Sequence, residues 1–140
     1  MRFWDASALV PLLVAQSASA RMRRAYRVDP EVVVWWGTKV QCDSAVARLE
    51  REGLLSLRGA GEALHRVDVL SARWHEIQPT DQLRDSARRL LRTHALRAGD
   101  SLQLAAALVA AEQRAGTLAF IGLDDRLLQA AQREGMAIVD

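Results

Sequence analysis

At 140 residues the chain has the length of one ordinary domain, enough to bury a core without disulfide or metal staples. Half of its residues are hydrophobic and 26% are charged, which excludes a disordered chain, and no apolar run approaches the roughly 20 residues that cross a bilayer. The net charge is +2, and Lys39 is the only lysine among arginines whose planar forks match phosphate oxygens, so contact with nucleic acid is permitted although GC-rich coding would give the same bias.

No secretory leader is read at the N-terminus, and a cytoplasmic protein is expected. Met1–Trp4 reads as a buried strand that ends at Asp5, followed at once by a helix carrying Leu9, Val10, Leu12, Leu13 and Val14. Residues 17–27 read as a short basic helix with Arg21, Arg23, Arg24 and Arg27, closed by Asp29-Pro30 because the residue before proline is pushed out of helical geometry. The β-branched run Glu31–Trp35 predicts a second strand.

Residues 38–52 predict a helix with Val40, Ala45, Val46 and Leu49 toward a core and Gly53 as its stop. Thr38-x-x-Gln41 has the spacing of a capping box, and Cys42 is read as a small apolar filler with no internal disulfide partner. Residues 54–77 form a long amphipathic region with Leu57, Leu64, Val67, Leu70 and Trp74 at helical spacing, broken near Gly59 and Gly61. His65 and His75 lack the spacing of a metal pair.

Thr80 is the expected cap of the next helix, in which Leu83, Ala87, Leu90 and Leu91 face inward. On it Arg84, Arg88 and Arg92 recur every four residues, a candidate RNA phosphate track. An alanine-rich helix over residues 102–115 is closed by Gly116, and residues 117–121 predict a third strand. Gly122-Leu123-Asp124-Asp125 opens a helix with Leu127, Leu128, Ala130 and Ala131 that ends at Gly135, before a last short strand over 136–139. Strands alternating with helices predict one α/β domain built on a parallel sheet, with extra helices between the second and third strands.

Three acids share one local grammar. Asp5 and Asp124 each follow a strand and open a helix, and Asp100 opens a helix after a turn. Each alone reads as a helix cap. In a parallel sheet, however, both strand-end acids must lie on one edge, where open α/β sheets bind ligands, and crowded carboxylates repel unless a cation sits between them. Oxygen donors without a His pair or Cys cluster point to Mg²⁺ or Mn²⁺ rather than zinc.

The stretches Phe3-Trp4-Asp5-Ala6-Ser7-Ala8-Leu9-Val10, Arg97-Ala98-Gly99-Asp100-Ser101-Leu102-Gln103-Leu104-Ala105 and Ile121-Gly122-Leu123-Asp124-Asp125-Arg126-Leu127 resemble the acidic blocks of PIN-domain proteins, especially VapC-type toxins. The likeness extends through Val33-Val34-Trp35-Trp36-Gly37-Thr38 to the closing Gly135-Met136-Ala137-Ile138-Val139. It implies a PIN-like three-layer α/β/α domain over residues 1–140 and a metal-dependent endoribonuclease toxin leaving 5′-phosphate and 3′-hydroxyl ends. A cognate VapB-type antitoxin and a homodimer are implied as partners, for which Trp35, Trp36 and Trp74 are candidate surface residues.

Carried over position by position, Asp5, Asp100 and Asp124 match the family's metal-binding acids, Gln41 occupies the fourth catalytic position, and Ser7 and Asp125 are auxiliary. The family generally places glutamate where Gln41 stands. An amide oxygen can ligate a cation or hold a water, yet it brings no charge and cannot act as a base. Asp43 does not replace it, since two residues along a helix turn the side chain by about 200°. Gly122 also departs from the family's small hydroxyl residue.

Two other readings follow: a PIN-fold module that binds RNA or an antitoxin without cutting, and a PIN nuclease acting on DNA or on rRNA processing. A phosphoacceptor receiver would need a lysine late in the chain, and none follows Lys39.

Overall fold

Alternation along three- and four-residue strands sorts the core into two halves. The computed structural model describes residues 1–112 and 114–140. Strands β1 (Arg2–Trp4), β2 (Val32–Trp35), β3 (His75–Ile77) and β4 (Ala119–Ile121) form one parallel sheet in the order β3-β2-β1-β4. Phe3 pairs in register with Val33 on one side and Phe120 on the other. Phe3, Val33, Trp35 and Phe120 enter one core, and Trp4, Val32, Val34 and Ile121 enter the other.

Helices α5 (Asp81–Thr93), α6 (Ala98–Ala110) and α7 (Asp125–Arg133) cover the first face, and α1 (Ala6–Leu13), α2 (Ser19–Val28), α3 (Thr38–Arg51) and α4 (Leu57–Ser71) build the second. The result is the expected three-layer α/β/α architecture. Its centre is α6, where Leu104, Ala105, Ala106 and Ala107 are fully buried. Small side chains there let α6 lie close to α5 and β2. Truncating Leu104 to alanine would cost about 2–5 kcal/mol through lost transfer energy and the cavity left behind.

Several sequence expectations are corrected. Residues 54–77 are not broken by glycine: Ser56 caps α4 through the Gly59 amide, and Gly59 and Gly61 lie inside the helix. Its buried stripe is Ala60, Ala63 and Val67, leaving Leu57 82% exposed and Leu64 outside the core. The end of that region is strand β3, His75-Glu76-Ile77, whose parallel pairing with β2 supplies backbone partners that three residues with a single apolar side chain cannot announce.

In α3 the inward residues are Thr38, Cys42 and Val46, while Val40 points to solvent. Leu91 of α5 is likewise exposed. Strand β4 is shorter than read because Ala115–Thr117 forms a 3₁₀ turn, and the last strand shrinks to one parallel bridge between Phe120 and Ile138. Helix α6 starts at Ala98 and ends at Ala110, and position 113 of the predicted 102–115 helix lies outside the described residues. Of the three tryptophans offered as surface candidates, Trp35 and Trp74 are buried and Trp36 is exposed. Among the described residues, no helix is long and apolar enough to cross a membrane.

Candidate functional site

Asp5 extends β1 by one residue, and its amide donates to the Ile121 carbonyl at 2.9 Å, so the β1 and β4 ends are held side by side. Its carboxylate caps α1 by accepting the Ser7 amide at 3.1 Å and the Ser7 hydroxyl. Ser7 Oγ in turn accepts the Leu123 amide at 2.9 Å, which fixes the β4–α7 loop against the start of α1. Asp124, the next residue, caps α7 by accepting the Leu127 amide at 3.0 Å. Both strand-end acids are therefore caps, and they also share one sheet edge.

Asp100 reaches the same place from the first turn of α6, where a negative side chain also complements the helix dipole. Burial raises the Asp5 carboxyl above its ordinary range against the opposing Ser7 hydrogen bonds, and the Asp100 charge adds to the rise. Asp100 is raised by burial and then by the charge of Asp124, with Arg97 opposing. Like charges thus run in sequence from Asp5 to Asp100 to Asp124. A cleft of about 490 Å³ holds Asp100, Asp124 and Asp125, with Arg97 and Arg126 in its wall.

Gln41 lines a separate cavity of about 340 Å³ together with Ser7 and Arg48. It is not part of a capping box: α3 has no side-chain cap, and Gln41 Oε1 instead accepts from Gln103 Nε2. Gln103 also donates to Thr38 Oγ1 at 3.2 Å, and both Thr38 and Gln103 are buried. A Cβ at Gly99 would lie 3.3 Å from the Gln41 amide nitrogen, which places the start of α6 beside the Gln41 side chain. At Gly122 a Cβ would lie 3.2 Å from the Phe120 ring and 3.4 Å from the Asp5 Cβ, leaving little room for a side chain beside the first acid.

The structure therefore brings Asp5, Ser7, Gln41, Asp100, Asp124 and Asp125 to one edge. It does not bring Arg84, Arg88 and Arg92 there; they occupy the exposed face of α5, where Arg84 pairs with Asp81, and none lines the acidic cleft. Sequence reasoning missed Gln103, which stands one helical turn beyond Asp100 but whose partners on α3 are distant in sequence. It also missed Arg97 and Arg126, each within three residues of a site acid. Cys42 is buried, and burial pushes its thiol up to about 12, in keeping with a filler role.

Among the described residues no three His, Cys, Asp or Glu side chains close on a common point as a preformed metal cluster. Asp5 and Asp124 each direct one oxygen to a helix amide. The donor set itself, three carboxylates and one carboxamide oxygen, suits a hard divalent cation.

The fold and this edge place the chain among three-layer α/β/α proteins with a short parallel sheet and acids at its carboxyl ends. No family model matches the sequence, and no curated protein matches it. Among solved structures, PAE2754 from Pyrobaculum aerophilum aligns at a TM-score of 0.67 and 20% identity, over 98% of this chain and 81% of that one. FitAcB from Neisseria gonorrhoeae aligns at 0.68 and 17%, over 100% and 97%. At these identities the likeness is one of fold.

Proposed function

We propose that the chain is a PIN-domain, VapC-type toxin: a metal-dependent endoribonuclease that cleaves single-stranded RNA. The observation that carries the reading is the meeting of three acids, far apart in sequence, at one sheet edge: Asp5 is tied to the end of β4 and, through Ser7, to the loop before Asp124, and Asp100 and Asp124 line one cleft. Asp5, Asp100 and Asp124 would hold Mg²⁺ or Mn²⁺. Such an ion lowers the pKa of a bound water and neutralises charge on the scissile phosphate.

The chain's own groups have definable parts. Ser7 fixes the Asp5 carboxylate and ties it to the loop bearing Asp124. Gln103 orients the Gln41 carboxamide, which can hold a water by hydrogen bond but cannot take its proton. Asp125 is exposed beside Asp124 and is available as an auxiliary oxygen donor. A VapB-type antitoxin and a second copy of the chain are the partners that belong to this reading.

The test is incubation of the purified chain with labelled single-stranded RNA in Mn²⁺, alongside DNA of the same sequence. Products with 5′-phosphate ends from RNA, abolished by chelator and by Asp5→Asn, are expected. Cleavage of DNA at an equal rate would favour a general PIN nuclease. A second reading, a PIN-fold module that binds RNA or an antitoxin without cutting, is favoured by Gln41. It predicts salt-sensitive RNA binding with no metal-dependent product.

A further inference from the structure

A polyanion entering a cleft of three carboxylates meets repulsion that cations in and beside the cleft can offset. One set stands next to it. On α7, Arg126, Gln129, Ala130 and Arg133 recur at helical spacing and, with His94 and Ala95, line a second cavity of about 230 Å³. Ala95 and Arg126 also line the acidic cleft, so the two cavities adjoin and Arg126 stands at their boundary.

The cavity's charge is available. Among the described residues, neither Arg126 nor Arg133 has a carboxylate within ion-pair distance, whereas Arg58, Arg84, Arg89 and Arg114 are each paired. The nearby acid, Glu134, is already engaged: Arg89 donates to Oε1 at 3.2 Å and to Oε2 at 3.1 Å, and His94 Nε2 lies 2.8 Å from the same Oε1. That arrangement holds the His94 wall in place and leaves the two α7 guanidinium groups as the cavity's uncommitted donors.

We propose that this cavity is the subsite for the backbone phosphate adjacent to the scissile one, held by Arg126 and Arg133. Guanidinium forks offer paired N–H donors to phosphate oxygens, and the compartment is of a size for one sugar-phosphate rather than a duplex. The inference rests on the ribonuclease reading. It moves the phosphate track from the α5 arginines to α7.

The experiment measures binding of a short labelled single-stranded RNA to the full chain by fluorescence anisotropy, in chelator so that nothing is cut, across a salt series. Arg126→Ala and Arg133→Ala should each weaken binding about three- to tenfold and flatten the log–log salt slope by about 0.7, while Arg58→Ala changes neither. Unchanged melting temperatures confirm that the exposed positions were altered without unfolding. RNA binding and salt slope unchanged in the Arg126→Ala/Arg133→Ala double variant would overturn the subsite alone. No RNA binding by the parent chain would overturn the ribonuclease reading with it. Labelled polyglutamate measured in the same way, if bound by the parent and lost in the double variant while RNA binding stays intact, would overturn the subsite in favour of an acidic protein segment.

Discussion

Gln103 donates its carboxamide hydrogen to the side-chain oxygen of Gln41, joining the buried face of α6 to α3 beside the first acid. The same amide reaches Thr38 Oγ1, so one buried residue satisfies two acceptors on α3. Replacing it leaves buried Thr38 Oγ1 without that donor, while Gln41 Oε1 is left facing its cavity. Gln103→Leu should therefore cost about 1–3 kcal/mol. In a domain of this size that is a fall of roughly 3–10 °C in melting temperature, read by calorimetry. An unchanged melting temperature would show that the network contributes nothing.

Gln41→Glu places a fourth carboxylate where Gln103 can still donate to it. The variant should bind Mn²⁺ on the order of tenfold more tightly, since ligand charge tunes affinity for hard cations, and it should cleave single-stranded RNA faster. Rates compared in Mn²⁺ on structured and unstructured RNA test this. Equal affinity and equal rates would make the fourth carboxylate dispensable.

The raised carboxyls of Asp5 and Asp100 set a pH dependence opposite in sign to ordinary acid denaturation. Burial is the main cause at both, and it penalises their charged forms in the folded state. The folded chain then holds protons that the unfolded chain has released. This contribution is full below the unfolded carboxyl value of 3.8 and is lost as pH rises through the folded values. Asp5→Asn, which keeps an acceptor for Ser7, should raise the melting temperature of the metal-free chain at neutral pH, with the gain shrinking toward acid. Denaturation curves across pH check it, and a lower melting temperature at neutral pH would contradict it.

Glu134 runs the other way. Its carboxyl is held below the ordinary range chiefly by the Arg89 hydrogen bonds, with His94 adding. Its contribution is present above the unfolded value of 4.5 and lost as pH falls through the folded one. Arg89 is half exposed, which screens the pair, so Glu134→Gln should lower stability by only about 1 kcal/mol at neutral pH. The difference from the parent, followed by denaturant midpoint, should vanish in acid. A difference that persists there would assign the effect to packing.

Much of the layered fold was legible because its signals are local. Val32–Trp35 is a β-branched run, Thr80 sits one residue before α5, and Asp5 and Asp124 stand where strand turns to helix. What stayed hidden depends on distant partners. His75–Ile77 becomes a strand only because β2 offers it a parallel edge, and Val40 and Leu57 satisfy helical spacing yet face solvent. The acids were readable one by one, and their meeting required the packing of α6 on β2 to carry Asp100 to the edge where β1 and β4 end. Gln103 was hidden because a glutamine within an alanine-rich helix carries no mark of the hydroxyl and carboxamide it will meet on α3.

The most direct test is a Mn²⁺ titration followed by the electron paramagnetic resonance signal of the free ion, on the parent chain and on Asp5→Asn, Asp100→Asn and Asp124→Asn. The account predicts saturable binding in the parent that is weakened in all three variants. Binding that is absent from the parent, or equally strong in every variant, would contradict it.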